Sequence, residues 1–279
     1  ANVANWVSSD STRYTFVSSF TIAPEPPPQP PHPPTPPHPP PTPPSPPPQP
    51  LLAAGDCMVV GYNSDSPYNF ALVLLAPLGP GQSVSATDAG WRTDLAIPAF
   101  DARSSDDSHV THTAAVDEPA GTVLTMADFV GVLSLSSSAD QLIVYRGTEF
   151  SPTFLCALDN SGGYTTTSCP SVTAGWQASP VDCGTSTDST QYYSELPQGL
   201  TIGVDALEFA HKDNWAYSGI TMGSVSQLRA EIANFANWTS SDSSPYPIFV
   251  SRFNITAEPP PAPPSPPTPP LPPPVPPLP

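Results

Sequence analysis

The sequence predicts a β-rich domain of two packed sheets that is flanked by two extended proline runs. Two observations lead to this fold class. Short runs rich in β-branched and apolar residues are separated by Gly, Pro, Asn, Asp and Ser, which is the pattern of strands joined by turns. In addition, of the 45 prolines in the 279 residues, 19 lie in Pro24–Pro50 and 15 lie in Pro259–Pro279.

Short apolar segments in the middle of the chain are the predicted strands. Six of them stand out: Cys57–Tyr62, Asn69–Ala76, Gln82–Thr87, His109–Val116, Gln141–Arg146 and Thr153–Leu158. Each is six or eight residues long and is bounded by turn residues. Six or more strands of this kind favour a two-sheet β-sandwich.

The end of the domain combines one helix with one strand. The segment Ser224–Phe235 is predicted as a helix because three apolar residues share one face: Leu228, Ile232 and Phe235. A polar turn, Thr239–Ser244, follows the helix. An alternating strand comes next, in which four residues are predicted to point the same way: Phe249, Ser251, Phe253 and Ile255.

The proline runs are predicted to be polyproline II rods. Proline fixes φ near about −65° and has no N–H, so neither run can be α-helix or sheet. Polyproline II has three residues per turn and rises ~3.1 Å per residue, so Pro24–Pro50 would span ~80 Å. The alternative interpretation is a loose Pro-rich linker.

Both runs place their other residues with the same spacing of 3, 3, 3, 4 and 3. In the first run these residues are Gln29, His32, Thr35, His38, Thr42 and Ser45, and in the second they are Ala262, Ser265, Thr268, Leu271, Val275 and Leu278. A spacing of three lines residues up along one edge of the rod. The second edge ends apolar, which predicts packing against another chain or domain.

The chain also repeats itself outside the runs. Ala1–Pro28 resembles Ala233–Pro261, so that Trp6 aligns with Trp238. Self-similarity at a fixed period indicates a tandem array. The predicted organisation is therefore the end of a preceding repeat over residues 1–23, a rod over 24–50, a β-sandwich over 51–258 and a second rod over 259–279. We expect Ala1–Ala23 to complete the preceding sandwich, and the chain to be a window cut from a longer array.

The composition excludes several classes of function. Lys and Arg number 7 against 24 Asp and Glu, which gives a net charge of −17. This charge argues against binding nucleic acid or an anionic membrane surface. No apolar run approaches the ~20 residues that a membrane span needs.

Four cysteines lie in the middle of the chain, and they predict two disulfides and an oxidising compartment. Of the three possible pairings we favour Cys156–Cys169, which closes a polar loop, together with Cys57–Cys183. The alternatives are four free thiols or, less favoured because no CxxC pair exists, a zinc site.

Several stretches resemble a known family. Gly55–Asp65, Asn69–Leu75, Thr87–Trp91 and Ala139–Gly147 are similar to the lamin-tail-like domain of secreted microbial proteins, which implies an immunoglobulin-like β-sandwich. Joined to the proline runs, the whole resembles the hydroxyproline-rich extracellular glycoproteins of green algae. That resemblance implies a fibre-building role in cell wall, sheath or flagellar fibrils. It implies no catalytic residues and no cofactor other than covalent glycans.

Two kinds of glycosylation site are predicted. Asn237-Trp238-Thr239 and Asn254-Ile255-Thr256 are N-glycosylation sequons, so Asn237 and Asn254 are the acceptors. The algal resemblance implies that the runs are hydroxylated and O-glycosylated. The predicted positions are Pro27, Pro28, Pro30, Pro31, Pro33, Pro34, Thr35, Pro36, Pro37, Pro39, Pro40, Pro41, Thr42, Pro43, Pro44, Ser45, Pro46, Pro47, Pro260, Pro261, Pro263, Pro264, Ser265, Pro266, Pro267, Thr268, Pro269 and Pro270.

Three histidines and two acidic clusters could bind a metal ion, but a metal site is not the favoured interpretation of either group. His109, His112 and His211 could bind a metal, but a separation of three in a strand puts His109 and His112 on opposite faces, so surface histidines are expected. Asp106–Asp107 and Asp159–Asn160 could bind calcium. No twelve-residue calcium loop is present, so we expect solvated loops there.

The tryptophans and acids give no stronger indication of a site. Four tryptophans could form a carbohydrate platform, but core residues are the favoured interpretation: Trp91, Trp176, Trp215 and Trp238. Nothing selects one catalytic carboxylate pair from the 24 acids, and no nucleotide or hydrolase motif occurs. We therefore predict no enzyme.

The sequence as a whole predicts a structural extracellular glycoprotein. β-Sandwich domains on glycosylated rods would assemble with neighbouring copies along a fibre. The main alternative is a carbohydrate-binding adhesin, with a wall or sheath polysaccharide as its partner and the rods as stalks. A wall-modifying enzyme is the third hypothesis.

Overall fold

The computed structural model describes residues 24–30, 49–93, 95, 98–101, 108–137, 140–163, 175–176, 194–248 and 251–260. The chain divides into two units, Ala1–Pro46 and Pro47–Pro279. In the first unit, residues 24–30 are exposed and form neither helix nor strand. Ala1–Ala23 and most of both proline runs lie outside the described residues.

Strands dominate the second unit, as predicted. In chain order they are β1 Cys57–Asn63, β2 Asn69–Leu74, β3 Ser83–Thr87, β4 Gly90–Arg92, β5 Ala99–Asp101, β6 His109–Thr113, β7 Val123–Thr125, β8 Gln141–Thr148, β9 Ser151–Gly162, β10 Ala206–Ala210, β11 Asn214–Tyr217, β12 Met222–Ser224, β13 Trp238–Ser241 and β14 Asn254–Thr256. The described helix, α1, is Val225–Ala233.

The strands form two five-stranded sheets. The first has the order β13-β11-β1-β2-β7 and the second has the order β10-β9-β8-β3-β6. Most pairs are antiparallel, while β10 runs parallel to β9 and β12 runs parallel to β14. Two small sheets, β4-β5 and β12-β14, complete the described strands.

The two large sheets share one hydrophobic core, which is consistent with a β-sandwich. Val59 and Leu72 from the first sheet and Val144 and Leu158 from the second are fully buried in the same cluster. Side chains alternate between the two faces of each strand, so every second residue points into the core between the sheets. The protein is therefore mainly β with two layers around one core.

A second, smaller cluster covers the outer face of the second sheet. Ile143, Tyr145 and Phe154 from β8 and β9 pack there against Trp91 and Trp176. The Trp91 ring meets the Phe154 ring edge-on at 4.8 Å between centroids. Because both faces of β8 and β9 are covered, these strands are buried on both sides.

All six of these predicted strands are confirmed, and β14 falls within the strand predicted after the helix, but seven further strands were missed. Most of the missed strands are only three to five residues long, too short for a clear alternation. The predicted polar turn Thr239–Ser244 is wrong in its first half. Residues Trp238–Ser241 form β13, because they pair with β11 in the register Tyr217↔Trp238 to Asn214↔Ser241.

The helix is confirmed, although it is shorter than predicted. Leu228 and Ile232 are fully buried, one helical turn apart. Phe235 is wrong as a third member of this face, since it is 53% exposed and lies in a separate 3-10 turn. The chain leaves α1 at Asn234, where the backbone becomes extended, so the helical periodicity stops before Phe235.

The strand predicted after the helix is also only partly correct. β14 covers Asn254–Thr256, whereas Ser251 is exposed outside it and Phe249 lies outside the described residues. Phe253 is 2% exposed and belongs to the main core. The predicted alternation therefore holds at Phe253 and not at Ser251.

The predicted disulfide pairings are wrong. Cys57 on β1 is bonded to Cys156 on β9, with Cα atoms 5.9 Å apart, so neither Cys156–Cys169 nor Cys57–Cys183 forms. Cys169 and Cys183 lie outside the described residues. The bond crosses the core and joins the first sheet to the second. Sequence proximity favoured the short loop, but the fold brings together cysteines 99 positions apart.

Candidate functional site

Two segments connect the β-domain to the proline runs. Residues 49–55, the last two residues of the first run and the five that follow it, are here called the first junction. Residues 253–258 precede the second run and are called the second junction. These segments attach the runs to the β-domain, so their contacts define the candidate site.

Side-chain hydrogen bonds hold the first junction. Gln49 Nε2 donates to Asp117 Oδ1 at 3.0 Å, and the Gln49 carbonyl accepts from Gln82 Nε2 at 3.1 Å. Further along, Leu52 is 2% exposed and its carbonyl accepts from Arg146 Nε at 2.6 Å. Proline has no N–H to donate. The run is therefore anchored through the residues at its end.

The second junction is held at the N-terminus of α1. Glu258 accepts from the Ser226 N–H at 2.9 Å and from the Ser226 hydroxyl at 2.6 Å, with one carboxylate oxygen for each. A helix N-terminus has unpaired N–H groups and favours negative charge. The bonds from Ser226 lower the pKa of Glu258. This carboxylate lies immediately before the second proline run.

One turn contacts both junctions. Asp117 holds Gln49 of the first junction, and four residues later the Gly121 carbonyl accepts from the Phe253 N–H at 2.9 Å. Gly121 has φ +88°, and a Cβ atom there would lie 2.1 Å from the Phe253 carbonyl oxygen. Only glycine allows this turn to approach the second junction so closely.

Arg229 on α1 provides a second connection. Its Nη2 donates to the Gly55 carbonyl of the first junction at 2.6 Å. The same guanidinium also contributes to lowering the pKa of Glu258 in the second junction, after the hydrogen bonds from Ser226 and Ser224. The first and second junctions therefore meet at one part of the β-domain surface, between α1 and the turn at 117–121.

Sequence reasoning missed most of these residues. Only Glu258 was indicated, because the repeat aligns it with Glu25. The partners of the other contacts are far apart in the chain, 68 positions for Gln49 and Asp117 and 174 for Gly55 and Arg229. No local sequence pattern indicates a contact between residues that far apart in the chain.

The two sequons differ in their surroundings. Asn237 is half-buried, and its Nδ2 donates to the Glu231 carbonyl at 2.9 Å and to Glu231 Oε2 at 2.7 Å. Asn254 is exposed on β14, and no contact among the described residues engages its side-chain amide. A glycan bond leaves one amide hydrogen, so it is compatible with Asn254 and would remove one bond of Asn237.

The described prolines of the predicted O-glycosylation set are accessible. Pro27, Pro28, Pro30 and Pro260 are all exposed. The remaining positions of that set, including every threonine and serine, lie outside the described residues. Accessibility permits modification without indicating that it occurs.

The histidines are partly exposed and are bonded within the fold. His109 Nδ1 lies 2.8 Å from the Tyr145 hydroxyl, and His112 Nε2 lies 2.8 Å from Glu118 Oε1. The two rings are on opposite faces of β6, as predicted. Burial lowers the pKa of His109. Within the described ranges, no group of three or more His, Cys, Asp or Glu could hold a metal ion.

Asp159 and Asn160 are not in a solvated loop, which corrects that prediction. Both lie in β9 and are fully buried, because β9 continues four residues beyond the predicted end at Leu158. Burial raises the pKa of Asp159 to about 7, and the Glu208 carboxylate adds to this, while hydrogen bonds from Ser161 oppose it. Asp106–Asp107 lies outside the described residues.

The four tryptophans are core residues. Trp91, Trp176, Trp215 and Trp238 are 4, 5, 2 and 7% exposed. None of them presents an open ring face on which a sugar could stack. An open pocket of about 490 Å³ does lie beside the first junction, and its lining includes Ala53, Ala54, Trp91, Phe154 and Gln198.

Comparison with known proteins finds no match among family models, curated proteins or solved structures. In the part of the chain that the structure describes, no helix has both the length and the apolar character required to cross a membrane.

Proposed function

We propose that this chain is part of an extracellular structural glycoprotein, in which lamin-tail-like β-sandwich domains alternate with hydroxylated and O-glycosylated polyproline II runs. Copies assemble lengthwise into a fibre of the kind found in green-algal walls, sheaths or flagellar surfaces. The disulfide joining Cys57 and Cys156 is compatible with an oxidising extracellular location.

The observation that carries this proposal is the meeting of the two junctions. Arg229 bonds to Gly55 and its charge acts on Glu258, and the turn at 117–121 contacts Gln49 and Phe253. Both flanking proline runs are therefore attached at neighbouring points of one domain. This arrangement supports a domain that is one repeating unit on a longer proline-linked chain.

The internal repeat supports the same proposal. Residues Ala233–Ala257 supply the end of α1 and all of β13 and β14 to the β-domain. Ala1–Ala23 has the matching sequence, and the positions that it would take are already filled. It therefore belongs to the preceding domain of the array.

The test is the axial repeat of the native fibre in electron microscopy. A domain placed in line, about 40 Å across, plus a rod of ~80 Å would give ~120 Å. We expect a regular axial repeat no longer than this in-line spacing. A repeat well above ~120 Å would contradict the tandem arrangement, and the absence of any regular fibre would contradict the proposed function.

Mass spectrometry of the same material tests the glycoprotein part. We expect hydroxyproline with attached pentose or hexose throughout both runs. Of the sequons, Asn254 should be occupied at higher stoichiometry than Asn237, because only Asn254 has a free amide. Unmodified proline throughout the runs, or a glycan on Asn237 alone, would be the contrary result.

The carbohydrate-binding adhesin is the second candidate, and the pocket at Trp91, Phe154 and Gln198 is the observation that favours it. It ranks below the structural role because both rings are nearly buried, at 4 and 6% exposed. A glycan array on the secreted domain tests it. Selective binding that is lost in Gln198→Ala would support the adhesin, and no binding would exclude it.

A further inference from the structure

A buried polar pair lies on the outer face of the second sheet. Gln141 on β8 lies directly opposite Asp159 on β9. The two residues are 1 and 0% exposed. Side chains of directly opposite residues point to the same face, with Cβ atoms about 4.5–5.5 Å apart. The two polar groups therefore lie side by side and away from water.

The orientation of the Gln141 amide is determined by its donors. Its Nε2 donates to the Asp88 carbonyl and, at 3.1 Å, to Asp140 Oδ1. Turning the amide over would place its carbonyl oxygen against these two acceptors, which is unfavourable. The carbonyl oxygen Oε1 therefore points away from them, and no donor among the described residues reaches it.

Asp159 likewise has one carboxylate oxygen that receives no hydrogen bond from the described residues. Its Oδ1 accepts from the Ser161 N–H at 2.7 Å and from the Ser161 hydroxyl at 2.5 Å. Its Oδ2 is buried and has no donor in the part of the chain that the structure describes. Two neighbouring acceptors without a donor are costly in a protein interior, and one shared proton would satisfy both.

We infer that Asp159 is held in the folded protein as the neutral acid, whose Oδ2–H donates to Gln141 Oε1, and that loss of this proton loosens the packing of Gly175 and Trp176 over this face. Gly175 packs closely against Asp159. A Cβ atom on Gly175 would lie 2.8 Å from Asp159 Oδ1, and Trp176 next to it is bonded through Nε1 to the Leu207 carbonyl at 3.0 Å. An ionised Asp159 needs water, which this packing excludes.

The groups around Asp159 agree with a neutral acid. Glu208 is its direct neighbour on β10, Asp140 precedes β8, and Tyr62 lies on β1 of the other sheet. Glu208 is the charged group that raises the pKa of Asp159, Tyr62 is uncharged because burial raises its own pKa, and no cation among the described residues lowers the pKa of Asp159. Burial and the Glu208 charge both oppose ionisation.

The direction of the pH effect follows from linkage. The pKa of Asp159 is about 7 in the folded protein, against 3.8 for an unperturbed side chain. Between these values the folded state keeps a proton that the unfolded state has lost, so this group stabilises the fold most at low pH. Its contribution falls as pH rises through about 7. The three-unit gap corresponds to a change in the folding equilibrium of up to about a thousandfold.

The experiment compares the full chain with Asp159→Asn and with Glu208→Gln. The Asn side chain donates permanently to Gln141 while keeping an acceptor for Ser161. Thermal unfolding is followed from pH 4 to pH 8. We expect the wild-type midpoint to fall with pH, and the Asn variant to lose most of that fall and to exceed wild type at pH 8. The Gln variant should keep most of the fall, because the Glu208 charge contributes less than burial to the raised pKa of Asp159. An Asn variant with the wild-type slope would overturn the inference.

Two further measurements apply to the wild-type protein, so the inference does not depend on the variant folding. A carbon NMR titration of the Asp159 carboxyl should have its midpoint near pH 7, and a midpoint below pH 5 would overturn the inference. Unfolding at pH 8 is also measured in EDTA and in calcium chloride. A large stabilisation by calcium that Asp159→Asn abolishes would replace the proton by a bound cation. No calcium effect is expected.

Discussion

Removing the disulfide between Cys57 and Cys156 should destabilise the β-domain strongly. The bond closes a loop over a sequence separation of 99 residues. In the chain-entropy description, a cross-link over a loop of about 100 residues stabilises by about 4.7 kcal/mol, and measured losses of native disulfides are about 2–5 kcal/mol. For a domain of about 200 residues, each kcal/mol corresponds to about 2–4 °C in Tm. The double variant Cys57→Ala/Cys156→Ala should therefore melt roughly 10–20 °C lower.

The assay separates the cross-link from the cavity that two smaller side chains leave. Urea unfolding of the variant should show a larger m-value than wild type, because an unfolded chain without the cross-link exposes more surface. A cavity alone would lower stability without changing m. As a control, Val59→Ala makes a cavity in the same strand, β1, and should leave m unchanged.

Peptide mapping under non-reducing conditions checks the bond directly. It should yield one peptide pair containing Cys57 and Cys156. A pair joining Cys156 to Cys169 would refute the reasoning, and so would a double variant with a Tm within about 3 °C of wild type and an unchanged m-value.

Two further predictions concern packing and backbone conformation. Leu228→Ala should cost about 2–5 kcal/mol in urea unfolding because Leu228 is fully buried in the main core. Phe235→Ala should cost less, about 0.5–1.5 kcal/mol, because Phe235 is 53% exposed but its ring meets Phe209 and Trp215 edge-on. Equal effects would contradict the assignment of the helix face. Gly121→Ala should cost clearly more than Gly199→Ala. Both glycines have positive φ, +88° and +90°, but only a Cβ atom at Gly121 meets backbone. The Gly199 change should cost about 1–2 kcal/mol, and an equally small cost at Gly121 would show that the turn does not hold the second junction.

The strands and the helix were predictable because their signals are local. Cys57–Asn63 and Asn69–Leu74 each contain enough apolar residues in succession to identify a strand without knowledge of its partner. The helix likewise followed from Leu228 and Ile232, which are four positions apart. Short strands such as Gly90–Arg92 carry no such signal and are strands only because a partner pairs with them.

The candidate site was mostly out of reach of sequence reasoning. Polar residues such as Gln82, Asp117 and Arg146 look the same whether they face solvent or anchor another segment. Asp159 was expected in a solvated loop because no calcium-loop pattern surrounds it. It is buried because β8 and β10 pair with both sides of β9 and the segment at Gly175 covers it.

By itself the sequence determined that the chain is mainly β with one helix, that two matching proline runs flank the β-domain, and that the ends repeat, because all of these depend on composition or on spacing within a few residues. Only the tertiary structure decided that Cys57 is bonded to Cys156, that the two junctions meet beside Arg229, and that Asp159 is opposite Gln141. The physical reason is that each of these depends on which distant segments the shared core brings into contact. That core is set by the packing of two whole sheets, and no short stretch of sequence encodes it.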